Sequence, residues 1–214
     1  MKGECVIAGA GEYFGQVISP GPEDYVIAAD GGYRRLREMG VRVDQVIGDF
    51  DSLGYQPDHP NVVQLPAEKD DTDTLYALRV GVSMGFRVFR IYGGTGGRLD
   101  HTLANIQCLS WLAGQGLRGW LYGDGCVLTA LRNEELAFDA PAGRTVSVFA
   151  LGGDAEGVTI EGLKYRAENI RLTGDFPIGV SNEGLGGPAR VAVERGSVLL
   201  CLPREARALT IIQK

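Results

Sequence analysis

The sequence predicts an α/β N-terminal domain with a mainly parallel sheet, followed by an all-β, sandwich-like C-terminal domain. Short apolar runs alternate with helical patterns through the first part of the chain, whereas after Gly123-Asp124-Gly125 only strand-like runs recur. Gly, Asp, Asn and Pro punctuate these runs at the spacing of turns. The boundary is expected near residue 124, giving an α/β domain over 1–124 and a β domain over 125–214. No internal repeat or low-complexity tract interrupts either part.

In the first domain ECVIAGAG (4–11), YVIAAD (25–30), DQVIGD (44–49), NVVQL (61–65) and RVFRIYGG (87–94) read as buried strands. Three helices are expected between and after them. Tyr33 to Met39 is stopped by Gly40. Thr72 to Met84 carries Leu75, Leu78 and Val82 at i, i+3 and i+7 and is stopped by Gly85. Leu99 to Leu112 places Leu99, Leu103, Ile106 and Leu109 on one face. Such βαβ alternation argues a mainly parallel sheet covered by helices on both faces. The second domain supplies CVLTAL (126–131), RTVSVFAL (144–151), GVTIEGL (157–163), ARVAVE (189–194), SVLLCL (197–202) and ALTIIQ (208–213) as strands. Val191 to Val198 reads as a hairpin turning at Gly196.

Composition narrows the partners. The 21 basic and 27 acidic residues give a net charge of -6, which offers no general attraction to nucleic acid or to an anionic membrane. A small molecule or a protein is the expected partner. Cys5, Cys108, Cys126 and Cys201 are far apart in sequence with mostly apolar neighbours, as expected of buried free thiols in a reducing cytoplasm. No signal peptide and no membrane-spanning run is expected, and the expected location is cytoplasmic.

In an open parallel sheet, ligands bind beyond the carboxyl ends of the strands. Four successive strands deliver chemistry there: Asp30-Gly31-Gly32; Asp49-Phe50-Asp51; Glu68-Lys69-Asp70-Asp71-Thr72-Asp73; and Gly93-Gly94-Thr95-Gly96-Gly97-Arg98-Leu99-Asp100-His101. Singly, each acid has a bland explanation as a cap, a first-turn residue or a turn. Together they repel unless a cation joins them. Asp49 and Asp51, if locally extended, project to one side about 7 Å apart. With Asp73 they make an oxygen-only set suited to Mg²⁺. The glycines at 93–97 let a phosphate approach backbone N–H groups at a helix start, and Arg98 adds a bidentate fork. Lys69 is a second phosphate candidate, with a solvated loop lysine as the equal alternative. Gly9-Ala10-Gly11-Glu12-Tyr13-Phe14-Gly15 imitates a nicotinamide-binding turn, but its spacing is GxGxxxG and it counts as a weak signal.

The ordered set Ala29-Asp30-Gly31-Gly32, Gly48-Asp49-Phe50-Asp51-Ser52, Lys69-Asp70-Asp71-Thr72-Asp73 and Gly93 to His101, with Ser181-Asn182-Glu183 later, resembles the thiamine pyrophosphokinase family. The resemblance spans essentially the whole chain. It implies an α/β catalytic, ATP- and Mg²⁺-binding domain followed by a β-sandwich that binds thiamine and dimerises. It implies an ATP:thiamine diphosphotransferase: the pyrophosphoryl group of ATP passes to the hydroxyl of thiamine, giving thiamine pyrophosphate and AMP. By motif, Asp49, Asp51 and Asp73 would hold Mg²⁺. Asp30, Gly31, Lys69, Asp70, Gly94, Gly96, Gly97 and Arg98 would bind the nucleotide. Asp73, Arg98 and Asp100 would act in catalysis, with Asp73 and Asp100 as alternative proton acceptors. Tyr165, Ser181, Asn182 and Glu183 would meet thiamine at the interface of a homodimer. Arg166-Ala167 follows Tyr165 where the family leads one to expect Pro-Leu. The competing readings are a magnesium-dependent phosphohydrolase and a nucleotide-sensing binding module.

Overall fold

A computed structural model describes residues 3–51, 53–66, 68 and 70–213, with the backbone alone for 209–213. By packing the chain divides into two units, Met1–Cys108 with Gly119–Asp124, and Leu109–Arg118 with Gly125–Lys214.

The first unit holds strands β1 (Cys5–Ala8), β2 (Tyr25–Ala29), β3 (Gln45–Gly48), β4 (Val62–Gln64), β5 (Val88–Tyr92) and, but for its first residue, β6 (Arg118–Tyr122). They lie in the order β6-β5-β1-β2-β3-β4. β1 runs parallel to both β2 and β5, β2 to β3 and β3 to β4. Every residue of β1 is buried, as a parallel strand covered on both faces requires. The chain lays down β1, β2, β3 and β4 in one direction and then returns to place β5 on the other side of β1. The carboxyl ends of β1 and β5 therefore flank a topological switch point.

Helices α1 (Gly32–Glu38), α2 (Asp73–Ser83) and α3 (Leu99–Gly114) follow β2, β4 and β5. α1 stops at Gly40, whose φ of +66° suits glycine, while Val41 N–H reaches back to Leu36 O at 2.9 Å. α2 is capped by the Thr72 side chain, which accepts from Leu75 N–H at 3.2 Å. It buries Ala77, Leu78 and Gly81; a Cβ on Gly81 would come within 2.7 Å of Phe89, so the helix lies tight on the sheet. α3 departs from its expected face. Leu99 and Leu103 are exposed, and Asn105, Cys108, Leu109, Leu112 and Ala113 are the buried residues. The inward turn of the helix is set by Asn105, whose side chain bonds to the loop after β5.

Behind β1, Arg90 bridges two acids, with Nε 2.6 Å from Glu4 Oε2 and Nη2 2.5 Å from Asp24 Oδ2. Asp24 also accepts from the N–H groups of Glu4 (2.7 Å) and Gly21 (2.9 Å). Burial alone would push its carboxyl up; the two N–H donors, Arg90 and Arg42 hold it below its usual value.

The second unit is antiparallel throughout its paired strands. One run has the order β12-β9-β14-β7, from β7 (Cys126–Arg132), β9 (Thr145–Ala150), β12 (Asn182–Glu183) and β14 (Ser197–Pro203). The other is β11-β10-β13-β8-β15, from β8 (Glu134–Ala140), β10 (Ala155–Glu161), β11 (Ala167–Leu172), β13 (Gly187–Ala192) and β15 (Arg207–Gln213). The hairpin expected over 191–198 is corrected: β13 pairs with β8 and β10, whereas β14 pairs with β7 and β9. Gly196, at φ +99°, redirects the chain between sheets instead of folding it back on itself. A buried ion pair joins Arg118 Nη2 to Glu134 Oε1 at 2.8 Å, with Arg118 Nη1 also donating to Ala130 O at 2.6 Å.

None of the four cysteines is in a disulfide, and they fall into two kinds. Burial pushes the Cys5 thiol up to about 12 and Cys108 up to about 11. Cys126 and Cys201 are only half-buried, and a hydrogen bond from Cys126 draws the Cys201 thiol down to about 7. No helix among the described residues is long and apolar enough to cross a membrane.

Candidate functional site

Three carboxylates meet at the carboxyl end of the first unit's sheet. Asp30 follows β2, Asp49 follows β3 and Asp73 opens α2, and one oxygen of each lies within 4.8 Å of the other two. All three residues are half-buried. Their placement depends on uncommon backbone. Asp30 has φ +48° and Phe50 φ +66°, the left-handed region that side chains other than glycine rarely enter. The surroundings hold both. Asp30 N–H donates to Ile47 O at 2.8 Å and its carbonyl accepts from Tyr33 N–H at 3.1 Å. Phe50 is buried, and its carbonyl accepts from both Leu53 and Gly54 N–H at 3.1 Å.

Phe50 also decides where Asp51 goes. Projecting Asp49 and Asp51 to one side requires extended backbone, and a left-handed residue between them does not supply it. Asp51 is exposed, donates its N–H to Asp49 Oδ1 at 3.2 Å, and lies outside the three-carboxylate group. The third carboxylate of that group is Asp30. The donor set is hard and oxygen-only, so it fits Mg²⁺.

Beside the acids lies a cavity of about 360 Å³, bounded by Asp30, by Gly9 to Gly11 after β1, by the Gly93–Arg98 turn after β5, and by the first turns of α2 and α3. It sits at the switch point between β1 and β5. The two loops are stitched together: Gly9 N–H donates to Tyr92 O (2.8 Å), Gly11 N–H to Gly93 O (2.7 Å) and Glu12 N–H to Thr95 O (2.8 Å). A Cβ on Gly9 would lie 2.7 Å from Gly93 O, and one on Gly93 would lie 2.5 Å from Gly9 O. The weak glycine signal at 9–15 is thus a wall of this cavity and not a separate dinucleotide site.

Of the residues expected at the nucleotide, Asp30, Gly94, Gly97 and Arg98 line the cavity. Gly31 is buried as the N-cap of α1, and Gly96 packs against Glu12 and Phe14 with φ +79°. Asp70 is exposed, and its neighbour Asp71 pairs with Arg79 at 2.7 Å. Lys69 lies outside the described residues. Arg98 and Asp100 form an exposed two-point pair, Nη2 to Oδ2 at 2.6 Å and Nε to Oδ1 at 3.2 Å. Each stabilises the other's charge, raising Arg98 and lowering Asp100. Exposed pairs of this kind are weak, so a phosphate can compete for the guanidinium. Sequence reasoning missed Thr74, Thr102 and Asn105, which also line the cavity. Only their positions in the first two turns of the helices after the motifs pointed to them.

The residues expected at thiamine gather in the second unit. Asn182 Oδ1 accepts from Tyr165 N–H at 2.9 Å and from Glu183 N–H at 2.8 Å, while its Nδ2 donates to Tyr165 O at 2.7 Å. Ser181, at φ +60°, donates its N–H to Ser147 Oγ at 3.1 Å. Lys164 Nζ lies 3.1 Å from Glu183 Oε2 and 5.7 Å from the centre of the Tyr165 ring. Asn182 is buried, whereas Tyr165 is 62 % exposed. Asn182 therefore braces this cluster from within and leaves an aromatic face, a hydroxyl and a carboxylate outside. Arg166, where the family expectation was proline, lines a cavity of about 580 Å³ together with Glu161 and Gly162.

Two family models match the chain. "Thiamin pyrophosphokinase, catalytic domain" covers residues 21–121 and "Thiamin pyrophosphokinase, vitamin B1 binding domain" covers residues 132–198. The chain is 26 % identical over 181 residues to the thiamine pyrophosphokinase of Bacillus subtilis (strain 168), spanning 81 % of this chain and 85 % of that protein. A crystal structure of thiamin pyrophosphokinase from Geobacillus thermodenitrificans superposes with a TM-score of 0.80 at 26 % identity, covering 94 % of this chain and 98 % of that one. The crystal structure of the Bacillus subtilis enzyme gives a TM-score of 0.83 at 24 % identity, over 94 % and 99 % of the two chains.

Proposed function

The chain belongs to the thiamin pyrophosphokinase family, and we propose that it transfers the pyrophosphoryl group of ATP to thiamine. The observation that carries this reading is the convergence of Asp30, Asp49 and Asp73 beside a glycine-walled cavity with Arg98 on its rim. The hydroxyl oxygen of thiamine attacks the β-phosphorus, the bond from that phosphorus to the α,β-bridging oxygen breaks, and AMP leaves with the electron pair. The hydroxyl proton passes to a carboxylate, for which Asp73 and Asp100 are the alternatives. Such a displacement needs in-line positioning and charge neutralisation more than a covalent nucleophile.

The chain's own groups supply most of that. The backbone N–H groups of the Gly93–Gly97 turn and the Arg98 fork orient the phosphates. Asp30, Asp49 and Asp73 would hold Mg²⁺, with the exposed Asp51 available to an ion that arrives with ATP. When bound, Mg²⁺ neutralises the developing phosphate charge. Lys69, Asp70, Gly31 and Gly96 complete the nucleotide set on the family pattern. Thiamine is a cation with a flat pyrimidine, to which the exposed Tyr165 ring and the Glu183 carboxylate are complementary, with Ser181 as a hydrogen-bonding group. We assign residues 1–124 to catalysis and 125–214 to thiamine binding, and infer a homodimer with thiamine between subunits. Incubation with thiamine and Mg-ATP, with products identified by mass, tests the reading. AMP and thiamine pyrophosphate are expected; ADP and thiamine monophosphate, or phosphate released without thiamine, would overturn it.

A further inference from the structure

Asn105 sits on α3, 4 % exposed, with its Nδ2 donating to Gly94 O at 2.8 Å. A carboxamide at that depth is costly to bury without hydrogen bonds. Its partner is held from the other side as well, since a Cβ on Gly94 would lie 2.6 Å from Leu121 Cδ1. The next residue is Thr95. Its carbonyl is fixed by Glu12 N–H at 2.8 Å, yet its Oγ1 is buried without a hydrogen-bond partner, and both Thr95 and Asn105 line the cavity at the switch point. A hydroxyl in that condition has lost water and gained nothing from the protein, a deficit that a ligand atom in the cavity can remove.

We propose that Thr95 Oγ1 donates a hydrogen bond to a phosphate oxygen of the bound nucleotide, and that Asn105 is the positioning residue that aims it by fixing the Gly94–Thr95 peptide. The inference rests on the nucleotide reading of this cavity. Ionised phosphate oxygens only accept, so the hydroxyl is the donor. Asn105 acts through the turn, to which its Nδ2 is bonded. Its effect is therefore transmitted through Thr95, and removing both side chains costs little more than removing one.

The test is equilibrium binding of Mg-α,β-methylene-ATP, whose bridge does not permit transfer, to the full chain and to Thr95→Val, Thr95→Ser, Asn105→Ala and the double variant. Thr95→Val and Asn105→Ala are each expected to weaken binding about tenfold, the size of one lost hydrogen bond to a charged group. Thr95→Ser is expected to bind normally, and the double variant to match the singles within about threefold. KM for thiamine is expected to stay unchanged. Mg-tripolyphosphate, which lacks sugar and base, is expected to show the same loss with Thr95→Val; a loss confined to the nucleotide would overturn the phosphate contact. Normal binding by Thr95→Val, or a double variant near a hundredfold, would also overturn the proposal, and Thr95→Val alone decides if Asn105→Ala fails to fold. If the unmutated chain binds neither probe, the nucleotide reading itself fails. If it binds both and Thr95→Val changes nothing, only this inference does.

Discussion

Asn182 holds both backbone polar groups of Tyr165, accepting from its N–H at 2.9 Å and donating to its carbonyl at 2.7 Å. The carboxamide is buried and the ring it supports is exposed, so with thiamine on the proposed Tyr165 face the contact would set affinity through the position of the ring. Asn182→Ala is expected to raise KM for thiamine about tenfold with KM for ATP unchanged, and to lower stability by about 2 kcal/mol through the N–H groups left unpaired. Initial rates with each substrate varied, and urea denaturation, measure both. Equal rises in the two KM values would remove Asn182 from the thiamine side.

The acidic residues predict the same loss at four positions. Asp30→Asn, Asp49→Asn and Asp73→Asn each remove a charge from the three-carboxylate group, and each is expected to abolish turnover while circular dichroism stays native. Asp51→Asn is expected to abolish turnover as well, through an ion shared with ATP. Near-normal kcat for any of the four at saturating Mg²⁺ removes that residue from the metal set.

Asp24 should resist acid longer than an ordinary carboxylate. Its carboxyl titrates below the usual carboxylate value in the folded chain. Its stabilisation is thus complete above the unfolded value of about 3.9 and is lost as pH falls through the lower folded value. Asp24→Asn is expected to cost about 2 kcal/mol at pH 7 and to flatten the stability curve at the acid end. Urea midpoints from pH 7 down to pH 3 report this; parallel curves for the two proteins would contradict it.

Breaking the buried Arg118–Glu134 pair leaves one charge without its partner in a site from which water is excluded. Glu134→Gln is expected to lower stability by about 3 kcal/mol, and the double change Arg118→Met, Glu134→Leu by less than the single one. Thermal melts of the three proteins settle the order.

The cysteines divide by reactivity. Cys201, drawn down to about 7, is expected to alkylate fastest, with its rate rising through pH 7 as the thiolate fraction grows. Cys5, pushed up to about 12 and buried, is expected to resist. Timed iodoacetamide labelling with peptide mapping distinguishes them; faster labelling of Cys5 would contradict the assignment.

Much of this fold was legible because buried parallel strands are continuous apolar runs, as in CVIA and YVIAA. The strands that escaped notice carry polar residues whose satisfaction is tertiary. β6 begins at Arg118 and β8 at Glu134, and these two charges read as loop signals until each is seen to neutralise the other. β11, AENIRL, is an edge strand with little buried surface and hence no alternation to detect. In the site, the strand-end acids were visible as a set, but membership of the closest group was not. It turned on left-handed backbone at Asp30 and Phe50, which neither side chain advertises and which surrounding hydrogen bonds impose.

The cavity at the switch point is walled in part by peptide groups, since neither Gly9 nor Gly93 can take even a methyl group without striking the other loop. An inhibitor that rests on those two glycines would be difficult to escape by point mutation, because the replacements that would crowd it out also force the wall apart. Selectivity between related enzymes would have to be sought at the rim, where Thr74, His101 and Thr102 present side chains that can change.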